Sequence, residues 1–183
     1  MLLSPNYSRV AIFDTATPGT RSKGVGSHDI NYFYEIGEFQ YKVTFFVHMF
    51  GDWYVSFSMN KALGSPEQQV KTWSRVMKRE VTPEEAAHFL DDPFHIPDKI
   101  RYGVTGSGNA YKILAAVISA IKDFRQSHPD ADCINFSADK EHQSIYRSLL
   151  KRYDRYFDTV DEKPNSFERD RAMFKICFHG KPW

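Results

Sequence analysis

Residues 100 to 124 read IRYGVTGSGNAYKILAAVISAIKDF, and this stretch decides the fold. Its first six residues are rich in β-branched and aromatic types, which predicts a strand over Ile100 to Thr105. The loop Gly106-Ser107-Gly108-Asn109 follows. Apolar residues then recur at helical spacing from Ala110 to Phe124, which predicts a helix of about four turns with one apolar face.

A second strand and a second helix follow this stretch. Cys133 to Ser137 has the composition of a short strand, and apolar spacing predicts a helix from about Lys140. Strand, loop, helix, strand and helix form a βαβα unit, whose two strands are expected to lie side by side in parallel with a right-handed connection. Two more strands are predicted at Tyr156 to Val160 and Ala172 to Phe178, joined by a polar stretch.

The first half of the chain predicts an antiparallel sheet. Tyr32 to Met59 is rich in aromatic and β-branched residues and is interrupted at Gly37 and Gly51, which predicts three strands in a meander. Residues 14–31 lack periodicity and are rich in Gly, Ser, Thr and Pro, so we expect a flexible loop or arm there, after a short strand at Arg9 to Phe13.

Two helix starts share one sequence pattern. Ser65-Pro66-Glu67-Gln68 and Thr82-Pro83-Glu84-Glu85 each place a capping hydroxyl, then proline, then Glu or Gln three residues after the cap. The first helix is expected to reach about Arg79 and the second to end before Pro93. The prediction is therefore one α+β domain over residues 1–183, a mixed and mostly antiparallel sheet flanked by helices.

The composition excludes several classes of protein. The 183 residues include 24 Lys plus Arg and 23 Asp plus Glu, which gives a net charge of +1. This balance gives no field that attracts nucleic acid or an anionic membrane. With 42% hydrophobic residues the chain has ample material for a packed core, which excludes global disorder.

Targeting and metal signals were searched in the same sequence. The start lacks a basic segment followed by an apolar run, and no stretch approaches the roughly 18 apolar residues of a membrane span. Cys133 and Cys177 lie far apart, and neither has the neighbours of a metal site. These features predict a soluble, cytoplasmic protein that binds no metal.

The glycine loop is the main candidate for chemistry. A loop before a helix leaves backbone amides free at the positive end of the helix dipole, where anions bind. An ordinary strand-to-helix turn is the alternative, and the loop alone favours it. A Walker A loop is disfavoured because Asn109 and Ala110 stand where Lys and Ser or Thr are required. A dinucleotide fingerprint is disfavoured because Tyr111 replaces its third glycine.

The order of elements and the loop resemble the GNAT superfamily of N-acetyltransferases. In that family Gln or Arg, two residues, Gly, one residue and Gly or Ala open a long helix. Thr105 to Ala110 matches both small-residue positions and departs at Thr105. The family's next helix ends in a Leu-Tyr-x-x-x-Gly-Phe-like sequence, which Ile145-Tyr146 and the residues after it resemble, with Lys151-Arg152 in place of Gly. The resemblance covers about Ile100 to Val160 and extends to uncharacterised proteins of tailed bacteriophages.

The resemblance implies a fold, an activity and a set of site residues. The fold is that of acyl-CoA N-acyltransferases, with residues 100–160 as the acyl-CoA-binding core. The activity is direct acetyl transfer from acetyl-CoA, the co-substrate, to an amine, on a host or viral protein in the host cytoplasm. Tyr146 is the implied general acid that protonates the departing thiolate, and a core tyrosine with its hydroxyl bound by backbone is the alternative. The implied cofactor-binding residues are Val104, Thr105, Gly106, Ser107, Gly108, Asn109, Ala110, Tyr111 and Lys112.

The general base is less clearly marked. A protonated amine must lose a proton before it attacks, often to a carboxylate reached through water. His142 is chosen because it lies four residues before Tyr146 and would share its helical face, although a lone helix histidine is more often a surface or cap residue. The other candidates are Glu35, His48, Asp52 and Asp139. No motif around Cys133 or Ser137 supports covalent catalysis.

Two further functions stay open. A GNAT-like phage protein that has lost catalysis, and that binds a host protein or forms part of the virion, is favoured by Thr105 and by the unassigned base. Nucleic-acid binding rests on Lys151 to Tyr156, which interleaves cations with aromatics, and it is disfavoured because basic residues are expected at a helix C-terminus. The apolar strands from Tyr41 to Phe57 leave a homo-oligomer open.

Overall fold

The described residues form seven strands and four helices. The computed structural model of the protein describes residues 22–23, 29–47, 51–91, 96–97, 100, 110–154, 157–164 and 171–178. The strands are β1 (Ser22–Lys23), β2 (Ile30–Ile36), β3 (Phe39–Val47), β4 (Trp53–Ala62), β5 (Cys133–Asp139), β6 (Phe157–Pro164) and β7 (Arg171–Phe178). The helices are α1 (Pro66–Met77), α2 (Pro83–Asp91), α3 (Ala110–Ser127) and α4 (Gln143–Arg152).

The strands form one mixed sheet in the order β1-β2-β3-β4-β5-β7-β6. Strand β7 is antiparallel to both β5 and β6. Strands β4 and β5 are parallel, and their register covers two positions, Trp53 with Ile134 and Tyr54 with Asn135. The predicted α+β class, with a mixed, mostly antiparallel sheet and helices, is confirmed.

The chain divides into two compact units, which we describe separately. The first unit comprises Met1–Ser22, Asn31–Val43 and Phe57–Ile118, and the second comprises Lys23–Ile30, Thr44–Ser56 and Ser119–Trp183. In the first unit the turn Gly37-Glu38 joins β2 to β3, and alternate residues of both strands are buried. This period of two puts one apolar face of the hairpin into the core.

The core of the first unit is aromatic. Trp73 of α1 is fully buried and packs edge-on against Phe39 of β3, with ring centroids 5.6 Å apart. Phe89 of α2 lies 5.0 Å from the same indole. Trp73 therefore anchors both helices that the proline-containing caps begin. The Ser65 cap forms as predicted, because its side chain accepts from the Gln68 amide and the Gln68 side chain accepts from the Ser65 amide.

The core of the second unit has two aromatic clusters. Phe124 of α3 stacks on Phe45 at 4.2 Å and meets Trp53 edge-on at 4.9 Å, which fastens the end of α3 to β3 and β4. Phe136 of β5 stacks on Phe174 of β7 at 5.0 Å, and the two residues are direct partners in the ladder. Stacked aromatic pairs across strands stabilise a sheet beyond their buried area.

Several predicted elements are confirmed and others are corrected. The three strands within 32–59, both proline-capped helices, the helix from Ala110 and the strand from Cys133 are present. The helix predicted from about Lys140 begins at Gln143, and β6 extends to Pro164 into the stretch assigned to a polar connection. The predicted loop 14–31 contains β1 and the first residues of β2, and the predicted strand at 9–13 lies outside the described residues.

The strand predicted at Ile100 to Thr105 needs a correction. Ile100 is helical, and its amide donates to the Pro97 carbonyl at 2.8 Å, because proline fixes a φ that suits a helical turn. Residues 101–109 lie outside the described part. Among the described residues, β5 has β4 as its parallel neighbour at two positions and β7 as its antiparallel neighbour on the other side. The predicted parallel pairing of β5 with a strand at 100–105 falls on residues outside the described part and stays a prediction.

A disulfide joins β5 and β7, which the sequence did not predict. Cys133 and Cys177 are direct partners in the antiparallel ladder, and their Cα atoms are 4.0 Å apart. Directly opposed residues in such a ladder bring their Cβ atoms within the range a disulfide needs. The bond closes a loop across a sequence separation of 44 residues.

Candidate acid–base site

The glycine loop predicted to bind the cofactor falls mostly outside the described residues. Val104, Thr105, Gly106, Ser107, Gly108 and Asn109 lie outside the described residues. Ala110 and Tyr111 are known as the first two residues of α3, and Lys112 has an exposed side chain. The cofactor-binding set therefore stays a prediction.

Asp139 and His142 form a close pair where β5 ends and α4 begins. The Asp139 Oδ1 atom lies 2.6 Å from His142 Nδ1. The same oxygen accepts the His142 backbone N–H at 3.1 Å, and the Asp139 carbonyl accepts that N–H at 3.1 Å as well. The imidazole is mostly buried, with 22% of the side chain exposed, against 43% for Asp139. One carboxylate thus holds both the backbone and the ring of the histidine.

Tyr146 lies one helical turn after His142. Its backbone N–H donates to the His142 carbonyl at 3.1 Å, which is the spacing of residues on the same face of a helix. Its ring centroid lies 5.3 Å from that of Phe136 and 6.5 Å from that of Phe174. Burial, and secondly the negative charge of Asp139, raise the pKa of the Tyr146 phenol. The hydroxyl therefore stays protonated through the neutral range, as a general acid requires.

The two side chains each have one polar atom that no described residue engages. Within the described part, the Tyr146 hydroxyl and the Nε2 atom of His142 make no hydrogen bond. The alternative for Tyr146 was a core tyrosine whose hydroxyl is bound by backbone. The ring does pack against Phe136 and Phe174, but no backbone group of the described residues binds the hydroxyl. Of the sequence candidates, the structure gathers His142, Asp139 and Tyr146, which suit acid–base chemistry.

The other base candidates do not join this group. Glu35 on β2 and Asp52 before β4 are exposed, and His48 lies outside the described residues. Ser137 is exposed on β5, and Cys133 has no free thiol because it is bonded to Cys177. Covalent catalysis by either residue gains no support.

Asn135 is a residue that the sequence analysis missed. It is only 9% exposed, and its side-chain amide donates to the Trp53 carbonyl at 3.1 Å. Because Asn135 pairs with Tyr54 at the last position of the β4–β5 register, this hydrogen bond fastens the two strands where their pairing ends. An asparagine within a predicted strand, where it is disfavoured, was the available signal.

Hydrogen bonds of Arg147 and Gln143 connect α4 to the neighbouring strands. Arg147 Nε donates to Glu162 Oε2 of β6 at 2.9 Å, and this bond holds the pKa of the Glu162 carboxyl below its usual range. Arg147 also donates to the Gln143 side chain at 3.1 Å, whose amide reaches the Ala138 carbonyl at 3.4 Å. These contacts tie the first turns of α4 to the end of β5 and to β6.

A separate cleft lies in the first unit and holds no predicted site residue. Its volume is about 440 Å³, and it is bordered by the Gly37-Glu38 turn and the start of α1. Glu38 accepts from Thr72 Oγ1 at 3.3 Å and pairs with Arg75. The Glu38 carboxylate of this cleft is therefore already engaged by two side chains of α1.

Two further features concern metal binding and membrane crossing. No group of three or more His, Cys, Asp or Glu in the described part is placed to hold a metal ion. None of the described helices combines the length and the apolarity that a membrane crossing needs.

Comparison with known proteins gives no relative. No protein-family model, curated protein or solved structure matches this chain.

Proposed function

We propose that the chain is an acyl-CoA dependent N-acyltransferase that moves an acetyl group from acetyl-CoA directly to an amine. The observation that carries the proposal is the group at the start of α4: His142 held by Asp139, and Tyr146 one turn later with a protonated hydroxyl that no described residue hydrogen-bonds. A free imidazole nitrogen and a protonated phenol are the base and the acid that such a transfer needs.

The arrangement of elements gives further support. An antiparallel meander, a long helix, a strand and a second helix follow one another, as the resemblance to the GNAT superfamily implies. The pairing of β4 with β5 ends after two positions, so from Phe136 onward no described strand pairs with the β4-facing side of β5, while β7 pairs with its other side. A free strand edge suits an extended ligand that contains amides, such as the pantetheine arm.

Each residue has a role in the proposed reaction. The amides of Gly106 to Ala110 bind the pyrophosphate, and Lys112 or Tyr111 adds a side-chain contact. The amine nitrogen attacks the thioester carbon while His142 Nε2 takes its proton. The carbon–sulfur bond then breaks, and the thiolate takes the phenol proton of Tyr146. The acceptor is an amine on a host or viral protein in the host cytoplasm.

Calorimetric titration with coenzyme A tests the proposal. We expect micromolar binding by the wild-type chain and none by Gly108→Glu, because the added carboxylate would repel the pyrophosphate. Gln126→Glu is the matched control, since it adds the same charge at an exposed position near the other end of α3. Absence of heat with the wild-type protein, or equal binding by Gly108→Glu, would contradict the proposal.

The disulfide favours a second candidate, an inactive GNAT-like phage protein that forms part of the virion or binds a host protein. Disulfides persist on virions and in oxidising compartments and are rare in the cytoplasm. Mass spectrometry of purified virions distinguishes the candidates: the chain is present in the particle if it is structural and absent if it acts as an enzyme in the host cytoplasm.

A further inference from the structure

We infer that Asp139 is a positioning residue that fixes the tautomer of His142 and leaves Nε2 as the proton-accepting atom. The meaning of this inference for catalysis rests on the proposed function. Its structural content, the location of one proton on one ring, stands on the geometry alone.

The argument begins with the chemistry of the two partners. An ionised carboxylate only accepts hydrogen bonds, so the 2.6 Å contact with Asp139 Oδ1 requires a hydrogen on His142 Nδ1. A neutral imidazole carries one hydrogen, and Nε2 then bears the lone pair. The contact with Asp139 therefore selects the Nδ1–H tautomer of His142, whatever tautomer a free histidine prefers.

The carboxylate itself is held by the sheet. Asp139 is the last residue of β5 and pairs in register with Arg171 of β7, at the end of a seven-position ladder. Its Oδ1 atom also accepts the backbone N–H of His142, so the ring and the main chain of the histidine have the same fixed partner. Because one oxygen accepts hydrogen bonds from both the backbone N–H and the ring N–H of His142, the imidazole has little freedom to rotate.

Nitrogen NMR of the protein labelled with ¹⁵N-histidine tests the inference directly. Near pH 8, where an ordinary imidazole is neutral, we expect the His142 signals of the Nδ1–H tautomer. The His142→Gln variant assigns these signals by their loss. Asp139→Ser keeps an oxygen for the His142 backbone N–H but removes the ring's partner, and its spectrum is expected to shift toward the Nε2–H tautomer.

Two further variants and one kinetic measurement complete the test of the Asp139–His142 contact. Asp139→Asn retains an accepting oxygen and is expected to keep the Nδ1–H signals, and Asp161→Ser, which removes an exposed carboxylate paired with Lys163, is expected to leave them unchanged. An Nε2–H tautomer of His142 in the wild type would overturn the inference. So would an Asp139→Ser variant in which His142 keeps the Nδ1–H tautomer. In an active protein, Asp139→Ser is expected to lower kcat about 100-fold without changing KM for acetyl-CoA.

Failure of the proposed function gives a different pattern. A wild-type chain that shows the Nδ1–H tautomer but no coenzyme A binding supports the positioning of His142 and contradicts the acyltransferase. Coenzyme A binding with the wrong tautomer contradicts the positioning and leaves the acyltransferase supported.

Discussion

Tyr146 has two kinds of neighbour, aromatic rings and one carboxylate. The rings of Phe136 and Phe174 hold its position, while Asp139 and burial keep its phenol protonated. The ring of Tyr146 therefore makes the packing contacts, and its hydroxyl carries the proton. A variant that lacks only the hydroxyl separates these two features.

We expect Tyr146→Phe to fold like the wild type because the ring contacts remain. Under the proposed function it should lose about 100-fold in kcat, because the general acid is removed.

The stability of the protein should also respond to pH. Because folding raises the pKa of the phenol, the unfolded chain loses this proton first, so stability is full below about pH 10 and falls above it.

Urea unfolding from about pH 8 to 11 measures this effect. The wild type is expected to lose more stability than Tyr146→Phe over that interval. Equal losses would show that burial does not perturb the phenol, and wild-type turnover in Tyr146→Phe would remove the residue from the mechanism.

Asn135 is predicted to matter for stability. Asn135→Ala leaves the Trp53 carbonyl without its donor and empties space at a buried position, so we expect a loss of about 1–3 kcal/mol. Ser137→Ala, two residues along the same strand and exposed, is the matched control and is expected to change stability by less than about 0.5 kcal/mol. Equal effects in chemical denaturation would show that the amide contributes nothing specific.

At the scale of elements, the edges of the sheet explain why strand pairing stops where it does. Among the described strands β6 is outermost on one side. It carries Asp161, Glu162, Lys163 and Pro164, and charges and proline on an edge strand oppose pairing with another chain. On the other side the outermost described strand is β1, Ser22–Lys23. The apolar strands that left an oligomer open in the sequence, β3 and β4, both have neighbours in the sheet.

The start of α1 depends on Gly64, which gives a test at this scale. Gly64 has a φ of +98°, and a Cβ there would collide with the Gln68 side chain that completes the cap. We expect Gly64→Ala to cost about 1–3 kcal/mol, from the backbone conformation and the lost cap together.

Gly51→Ala is the control for that cost. Gly51 has a φ of +84° but no atom within 4 Å of an added Cβ, so it reports the backbone penalty alone. Thermal unfolding of both variants should place Gly64→Ala below Gly51→Ala. The reverse order would show that the cap is not disturbed.

For the molecule as a whole, the disulfide joins two strands that are distant along the chain. It joins strands that already pair along their full length, and it closes a long segment of chain. Such a bond restricts the unfolded chain more than it changes the folded one.

We expect the double variant Cys133→Ser with Cys177→Ser to be less stable by about 2–4 kcal/mol and to keep the fold. Chemical denaturation without reductant gives this difference, which should vanish when the wild type is reduced. Alkylation of the native protein should label no cysteine until a reductant is added. Free thiols in unreduced protein would contradict the bond.

The identity of most described elements was predictable from the sequence because it is encoded locally. Helical spacing from Ala110 to Phe124, the cap at Ser65 and the alternation in β2 and β3 all involve residues within one turn or one strand. Tyr146 was predicted from the family resemblance, and His142 was chosen because it lies four residues before Tyr146. Asp139 was among the candidates but could not be ranked, because spacing does not show where a side chain points.

The sequence by itself determined the class of fold and the apolar faces of α1, α3 and α4. Its choice of His142 and Tyr146 for acid–base chemistry stays a prediction. Only the tertiary structure decided that β4 lies beside β5, that Cys133 meets Cys177, and that Asn135 reaches Trp53. These partners are distant along the chain, and their meeting depends on the register of the whole sheet. Each register shift by one residue would turn a side chain to the other face, so no single segment carries that information.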